Sequence, residues 1–565
     1  MSDSNKVLAT FFGDKSFPIK WDSEEEKKLF WFFDDNHCGL PISPMYWSLN
    51  GWWGPTLEYM YRRFGFPLGK AWIGKRINSF LYSAVVPREP ESVKMVGPYY
   101  NWIMPTYADK FLDWWNNRYL PEILRNFEYL DNYDTESATL QELMVFLEEA
   151  IDIQERHFRL HWILNLAQFQ SSMNLQSTVA KVIGNVDPSL VGRILISIKD
   201  RNWDSLEALW KLKEMVKADG HLKKIFESGE TATAILPALE ADEKGRAFMA
   251  KVHAYLKEFG VKATMYPHEY INPLWIEDAK PCLETIKGYL ASDYDFPAQY
   301  QKMSSDQSAA IKELRALIPA TASKEAVEEL EQALKLAIKM MPLTPDHHFY
   351  LDQGTFGRLR LVLMAIGRRL VKEGLLRNAE DIMFLEYEQL RAYVANPAGY
   401  DGKKIIKEAR REWEDASKLR PRDWVGTVTH WAMYEEPYHT LWGWPERFDR
   451  VQRGEVQPAA EIHGLPAAAG VAEGTARIVL GPEEFDAVKK GEIMVCKMTN
   501  PAWVVVFSKI KGVVTDTGGV LAHTAVVARE FGIPGVVGTG DATYRIKTGD
   551  HIRINGSTGI VEILG

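Results

Sequence analysis

Cysteine, long apolar runs and surplus positive charge are all scarce in this sequence of 565 residues. Its three cysteines, Cys38, Cys282 and Cys496, lie far apart, which argues against a disulfide framework and a cysteine-rich zinc site. No apolar run of about 18 residues or more indicates a membrane span, and the N-terminal stretch lacks the apolar core of a signal peptide. The sequence therefore predicts a cytoplasmic protein with no membrane association.

The formal net charge of -9 offers no basic face for a phosphate backbone, so no nucleic-acid partner is expected. A Walker-type phosphate loop is also missing from the sequence. Since about the first 440 residues read as helical, we expect no strand-rich nucleotide-binding domain there.

Patterning divides the chain into four stretches. Residues 1–130 hold about half of the 19 tryptophans, and Pro and Gly interrupt their helical pattern, so short helices and ordered loops are expected. Residues 131–452 are predicted to be helical. "SKEAVEELEQALKLAIKMMP" is the clearest example, with apolar side chains at a spacing of about 3.6 residues: Val327, Leu330, Leu334, Ile338 and Met341.

Small residues, Pro and Gly mark residues 453–463 as a linker to a new domain. Residues 464–565 then contain short β-type runs such as "EIMVCKM" and "GVVTD", and "HIRINGSTGIVEIL" predicts a closing hairpin. The predicted fold class is multidomain: a large, mainly α-helical domain followed by a compact α/β domain.

One histidine, His523, lies between a glycine-containing turn and a short predicted helix, "HTAVVAREFG". Unpaired N–H groups and the positive end of the helix dipole keep an imidazole neutral there, and they stabilise a phosphoryl group bound to it. Gly518 and Gly519 would let the backbone approach such a group closely. On these grounds alone, a capping or surface histidine remains the alternative.

The string from Thr515 through "GG", His523, "ARE" and "GIPGVVG" resembles the phosphohistidine domain of the PEP-utilising phosphotransferases, over roughly residues 464–565. Pyruvate phosphate dikinase, PEP synthase and rifampin phosphotransferase belong to that family. The resemblance implies a swivelling domain in which His523 carries a phosphoryl group from ATP, next to Thr515, Gly518, Gly519 and Arg529. The alternative role of Arg529 is that of a solvated charge on the helix face. Leu521 replaces the regulatory threonine of the dikinases, so control at that position is not expected.

The helical part resembles the substrate domain of rifampin phosphotransferase at residues 37–44, 255–290 and 360–390, although Gly260-Val261-Lys262 departs from the Gly-His-Arg of many relatives. An arrangement without a fused ATP domain is similar to the histidine-bearing large subunit of phenylphosphate synthase. This resemblance implies a small phenolic substrate, and ATP and Mg²⁺ bound by a partner ATP-grasp subunit rather than by this chain alone.

A phenolic hydroxyl has a pKa near 10, so a general base or a cation must assist its attack. Each candidate base has a structural or surface role as its alternative. The histidines predicted for the substrate site are His37, His157, His161, His268, His347 and His348, with His430 and His439 as further candidates. His157 and His161 share a helix face, but no third ligand is apparent, so no metal site is predicted.

Two other functions remain open at this point. The same chemistry would serve another acceptor, such as an antibiotic or a small metabolite. A non-catalytic phosphorelay protein would instead pass the phosphoryl group from His523 to another protein, and an acceptor pocket would distinguish it from an enzyme.

Overall fold

A computed structural model describes the chain except residues 1–2, 52, 68, 230, 266–267, 293, 437–438, 440–443, 453–459, 500–502, 508, 520–522 and 565. The chain forms two units, each from three segments. The first unit comprises Met1–Ser171, Tyr266–Asn272 and His347–Glu436, and the second comprises Ser172–Met265, Pro273–Asp346 and Pro437–Gly565. Among the described residues, no helix has the length and apolarity that crossing a bilayer requires. The domain boundaries predicted from the sequence stay predictions.

A five-stranded antiparallel sheet forms part of the first unit, in the order β1-β5-β2-β4-β3. The expectation of only helices and loops in residues 1–130 was wrong. A strand such as "FWFF", buried on both faces, lacks the alternation that distinguishes a strand from a helix. The strands are β1 (Val7–Phe11), β2 (Phe30–Phe33), β3 (Gly69–Ile77), β4 (Phe80–Pro87) and β5 (Trp424–Thr429).

Helices make up most of the rest of the first unit. A π-helical turn, His348–Thr355, leads into the helix Phe356–Lys372, and a 43-residue helix, Leu140–Val182, contributes residues to both units. The other α-helices of the first unit are Glu24–Lys27, Asp35–Cys38, Pro44–Leu49, Trp53–Phe64, Pro90–Trp114, Leu120–Asn132, Tyr387–Ala395 and Gly402–Ala416. Shorter helical turns are Asp3–Asn5, Trp115–Tyr119, Ala379–Phe384 and Trp431–Glu435.

The helical part of the second unit confirms the periodicities seen in the sequence. Lys324–Met340 forms a helix capped by Ser323 and buries Leu330 and Leu334. The helix Glu243–Phe259 ends at Gly260, whose φ is -87°, and a Cβ there would lie 2.4 Å from the Leu256 carbonyl oxygen. The other helices are Pro188–Ile194, Arg201–Ala218, Gly220–Ser228, Ala232–Glu240, Glu243–Phe259, Lys280–Ser292, Phe296–Ala316, Leu343–His347 (at the unit boundary) and Trp444–Gln452.

The C-terminal part is the compact α/β domain that the sequence predicts. Its sheet has the order β6-β13-β12-β8-β9-β10-β11-β7, with β8 to β11 parallel. The predicted closing hairpin is β12–β13, in which Asn555 lies opposite Ile560. The strands are β6 (Glu461–His463), β7 (Leu465–Ala468), β8 (Val471–Ile478), β9 (Ile493–Cys496), β10 (Gly512–Thr515), β11 (Gly535–Val537), β12 (His551–Asn555) and β13 (Ile560–Ile563). The helices are Pro482–Ala487 (3₁₀), Val504–Phe507, His523–Phe531 and Ala542–Arg545.

The linker predicted at residues 453–463 is described only in part. Residues 453–459 lie outside the described residues, while Glu461–His463 pairs with β13 as an edge strand. The C-terminal end of the predicted linker therefore forms a β-strand.

Candidate functional site

The predicted strand–turn–helix around His523 is present in the backbone. Strand β10 ends at Thr515, and the helix His523–Phe531 begins at His523. Gly532 follows the helix with φ +64°, which suits a glycine C-cap. Residues 520–522 lie outside the described part of the chain, and the role of His523 stays a prediction.

Hydrogen bonds fix the turn that precedes this helix. The buried Thr515 hydroxyl donates to the Thr517 carbonyl at 2.7 Å, and the Thr515 carbonyl accepts from the Thr539 amide at 3.1 Å. Gly518 has φ +104°, and its carbonyl oxygen would lie 2.9 Å from a Cβ at Gly538. Positive φ and close approach explain why glycine occupies both positions.

The helix itself is tied to the neighbouring strands. The Thr499 and Thr524 hydroxyls share a buried hydrogen bond of 2.8 Å. Arg529, predicted to neighbour the phosphate, donates from Nε to the Ala467 carbonyl in β7 at 2.7 Å. Its guanidinium therefore braces the helix against the sheet. Gly519 is half-buried and follows Gly518 directly.

A second group of predicted residues converges in the first unit, around a carboxylate that the sequence analysis did not select, Asp352. The distances to its oxygens are 2.5 Å from His348 Nδ1, 3.0 Å from His161 Nδ1, 3.3 Å from His268 Nε2 and 3.5 Å from His347 Nε2. We call these five residues the histidine cluster. Burial alone would raise the pKa of Asp352, but the surrounding histidines hold it well below its usual value.

Four chain elements supply the histidine cluster. His161 lies on the long helix Leu140–Val182, His268 lies in the short segment 266–272, and His347 ends the helix Leu343–His347. The π-helical turn His348–Thr355 carries Asp352. Such turns are rare in proteins, and those that do occur are often found at functional sites.

Aromatic rings enclose the cluster, and we call them the aromatic shell. Phe158 stacks on His161 with ring centroids 4.8 Å apart, and Phe356 lies 4.9 Å from His268. The shell is completed by Trp162, 4.6 Å from His161, and Trp53, 5.5 Å from His268. Burial in these surroundings lowers the pKa values of His161 and His268.

His37 adjoins the cluster with its own carboxylate. Its Nδ1 lies 2.5 Å from Asp34 Oδ1, and Asp34 Oδ2 accepts a hydrogen bond of 2.6 Å from the Ser83 hydroxyl. The His37 ring lies 5.4 Å from His268 and 5.1 Å from Trp53. Burial alone would lower the pKa of His37, but the Asp34 carboxylate raises it above its usual value.

The remaining candidate histidines have other partners. His157 Nδ1 donates to Thr355 Oγ1 at 2.8 Å, and the Asn126 amide donates to its Nε2 at 3.0 Å. Burial lowers the pKa of His157 to about 3, so this ring is neutral and both of its nitrogens are bonded. His430 pairs with Glu435 at 3.1 Å on the surface of the first unit, and His439 is buried in the second.

Asp352 could have been found from the sequence. It follows His348 by four residues in "HHFYLD", a spacing that brings two side chains to one helix face. The convergence with His161 and His268 had no such signal, because it depends on tertiary packing.

Comparisons with known proteins match the C-terminal domain and part of the helical region. Residues 488–559 match the mobile domain of PEP-utilising enzymes, and residues 166–344 match the fourth domain of rifampicin phosphotransferase. An uncharacterised phosphotransferase of Bacillus subtilis, YvkC, is 26% identical over 97% of this chain and 63% of its own length. A rifampicin phosphotransferase of Bacillus cereus is 28% identical over 55% of this chain and 34% of its own.

A phosphoenolpyruvate synthase of Aeropyrum pernix is 45% identical over 21% of this chain and 14% of its own length. The chain thus spans less than two thirds of each of these relatives. The two domain matches and the relatives support a relationship of this chain to the PEP-utilising enzymes and to rifampicin phosphotransferase.

Proposed function

We propose that this protein is a phosphotransferase that phosphorylates a phenolic hydroxyl through a phosphohistidine at His523. In the first step, His523 attacks the β-phosphorus of ATP, so a P–N bond forms, the P–O bond between the α- and β-phosphates breaks, and AMP leaves. Water then breaks the P–O bond between the β- and γ-phosphates, which releases phosphate and leaves the β-phosphoryl group on His523. In the second step, the acceptor oxygen attacks the phosphorus, the P–N bond breaks, and the hydroxyl proton passes to a base. ATP, water and the phenol thus yield AMP, phosphate and the phosphate ester.

The backbone at the carrier position supports the first step. His523 is the first residue of its helix, where unpaired N–H groups favour an anionic phosphoryl group. The preceding glycine turn and the match to the mobile domain of PEP-utilising enzymes support the same role.

The convergence of five predicted histidines in the first unit is the observation that carries the proposal of an acceptor site. A flat apolar phenol needs aromatic walls and one polar group at its oxygen, and the aromatic shell supplies such walls. We assign the general base to His37, because Asp34 fixes its Nδ1 and leaves Nε2 to accept the proton. The Ser83 hydroxyl in turn holds Asp34.

Relatives favour a second acceptor class. Three proteins named rifampicin phosphotransferase match between 36% and 55% of this chain. A hydroxyl of an antibiotic is therefore the second candidate acceptor, and it would be phosphorylated by the same two steps through His523.

The source of the phosphoryl group is also part of the proposal. Since the sequence carries no Walker-type phosphate loop, we propose that ATP and Mg²⁺ bind to an ATP-grasp domain on a partner subunit. Purified chain given ATP and Mg²⁺ alone should then stay unphosphorylated. Acid-labile label on His523 without any added protein would show that ATP binds to this chain itself.

Mass spectrometry of products tests the whole proposal. Purified chain, ATP, Mg²⁺ and either a phenol or rifampicin are added to extract of source cells in which the gene for this chain has been deleted. We expect a phosphate ester of the phenol and equal amounts of AMP, with no product from the His523→Ala variant, because no other group replaces the covalent intermediate. Product from the alanine variant would exclude His523, whereas a product from rifampicin alone would select the second acceptor.

A further inference from the structure

Asp352, the buried carboxylate of the histidine cluster, lies close to four histidines but lacks well-aligned hydrogen bonds from the described residues. Asp352 is fully buried, and neither of its carboxylate oxygens accepts a geometrically sound hydrogen bond from the described residues. His161 Nδ1 and both ring nitrogens of His268 are likewise without such a bond within the described part of the chain. A buried carboxylate without hydrogen bonds is costly, so native proteins normally pair it or coordinate it to a metal.

The separations between these atoms fit side chains that share one bound metal ion. Imidazole nitrogens and carboxylate oxygens lie about 2.0–2.2 Å from a zinc ion, so tetrahedral ligands lie about 3.4 Å from one another. His161 Nδ1 lies 3.0 Å from Asp352 Oδ1, and His347 Nε2 lies 3.5 Å from the other oxygen, Oδ2, so both separations are near this value. Ligand atoms of His161, His347 and Asp352 all lie within 4.8 Å of one another.

We infer that His161, His347 and Asp352 form a binding site for one divalent first-row transition-metal ion. Two imidazoles and one carboxylate are ligands that Zn²⁺, Co²⁺ and Fe²⁺ accept in proteins, and three protein ligands leave a coordination position open for an oxygen ligand. His268, whose Nε2 lies 3.3 Å from Asp352, borders that position. The site does not depend on the acceptor proposed above.

Neighbouring side chains form the outer shell that such a site requires. Asn165 lies 3.0 Å from His161 Nε2, and after an amide rotation its oxygen accepts the Nε2 proton, which leaves the Nδ1 lone pair for the ion. His348, half-exposed, lies 2.5 Å from Asp352 Oδ2 and orients the carboxylate. His161, His347 and Asp352 are buried, which strengthens their electrostatic interaction with a cation.

Cobalt provides a direct test because its visible spectrum reports its coordination. Full-length protein is stripped with a chelator and titrated with Co²⁺, and Zn²⁺ is then added as a competitor. We expect one Co²⁺ per chain with the strong absorption of a four- or five-coordinate site, and its displacement by Zn²⁺. Asn165→Ala should weaken binding about 10- to 100-fold, as outer-shell changes do, and Asp352→Asn, His161→Gln and His347→Gln should weaken it further.

His430→Gln is the matched control, since His430 also pairs with a carboxylate in the first unit but has an exposed position. It should bind Co²⁺ like the unmodified protein. X-ray absorption of the Zn²⁺-loaded protein covers the case in which ligand variants do not fold, and it should show imidazole and oxygen ligands at about 2.0–2.2 Å. Failure of the unmodified chain to bind either ion stoichiometrically, zinc without imidazole scattering, or a folded Asp352→Asn variant with undiminished affinity would each overturn the site.

Discussion

Two buried aspartates of this protein show how the surroundings of a carboxylate decide its charge. Asp352 has four histidines around it, and they hold its pKa well below the usual value in spite of burial. For Asp200, burial is the largest effect: it raises the pKa to about 6, although the Asn202 and Trp203 amides donate to the carboxylate. The first carboxylate is ionised at neutral pH, whereas the second destabilises the fold once it ionises.

Asp200→Asn should change how stability depends on pH. The folded pKa of about 6 lies above the value of an unfolded aspartate, so the folded state binds the proton more tightly. Stability from this group is thus present at low pH and is lost as pH rises from about 4 through about 6. Relative to the asparagine variant, the unmodified protein should lose about 2 kcal/mol between about pH 4.5 and 7.5.

Urea unfolding of both proteins at the two pH values measures this difference. Asparagine is as good an N-cap as aspartate, so the helix Arg201–Ala218 keeps its start in the variant. If the difference in unfolding free energy between the two proteins did not vary with pH, this would contradict the assignment of a raised pKa to Asp200.

At the scale of elements, the β3–β4 hairpin contains the backbone strain that the sequence did not reveal. Its turn residues Asn78 and Ser79 have φ values of 49° and 64°. Two consecutive left-handed residues form the turn that fits the twist of a two-residue hairpin, and glycine is the preferred second residue there. Serine at this position is strained.

Ser79→Gly should therefore leave the first unit about 1 kcal/mol more stable than Ser79→Ala does, because glycine adopts positive φ without steric cost. Both substitutions remove the serine hydroxyl, so the difference between them isolates the backbone strain. The measurement is urea unfolding followed by tryptophan fluorescence. Ser79→Ala is the control: it keeps the strain and loses the hydrogen bond of 3.2 Å from Arg76 to the serine hydroxyl. A glycine variant less stable than the alanine variant would show that strain at this turn is not the dominant effect.

Helices and the C-terminal domain were predictable from sequence because their signals are local. The apolar spacing in Lys324–Met340 and the alternation of β runs with turns near His523 are contained in a few tens of residues. The sheet in the first unit was missed because a buried strand such as β2 lacks the alternation that marks a strand, and because β5 joins β1 and β2 from several hundred residues away. The histidine types at the candidate site were predictable, but their convergence on Asp352 was not, since each comes from a different element.

At the scale of the whole molecule, the second unit contains a contact between its helical part and its C-terminal domain. Tyr294 and Phe531 stack with ring centroids 5.8 Å apart, and Lys302 Nζ lies beside Gly532. Phe531 is the last residue of the helix that begins at His523. The swivelling proposed for this domain requires that contact to open, with a hinge predicted at residues 453–461.

Cross-linking tests the movement. Lys302→Cys and Phe531→Cys, joined by a short bismaleimide, should leave the fold intact and abolish product formation, because His523 then cannot leave the helical part. The native cysteines are buried, so the engineered pair reacts selectively. Each single-cysteine variant treated alike is the control and should keep its activity. Full turnover by the cross-linked protein would exclude the swivel.

The division of the first unit into three chain segments has a consequence for how the protein is made. His161 belongs to the first segment, His268 to the second, and His347 and Asp352 to the third. Asp352 follows His161 by roughly 190 residues, and at about 5–20 residues per second a ribosome needs on the order of 10–40 s to deliver it. During that interval His161 and the early members of the aromatic shell, Trp53, Phe158 and Trp162, lack their later partners, so the nascent chain exposes apolar surface to which chaperones bind. The residues of the cluster are thus assembled only after most of the polypeptide has left the ribosome.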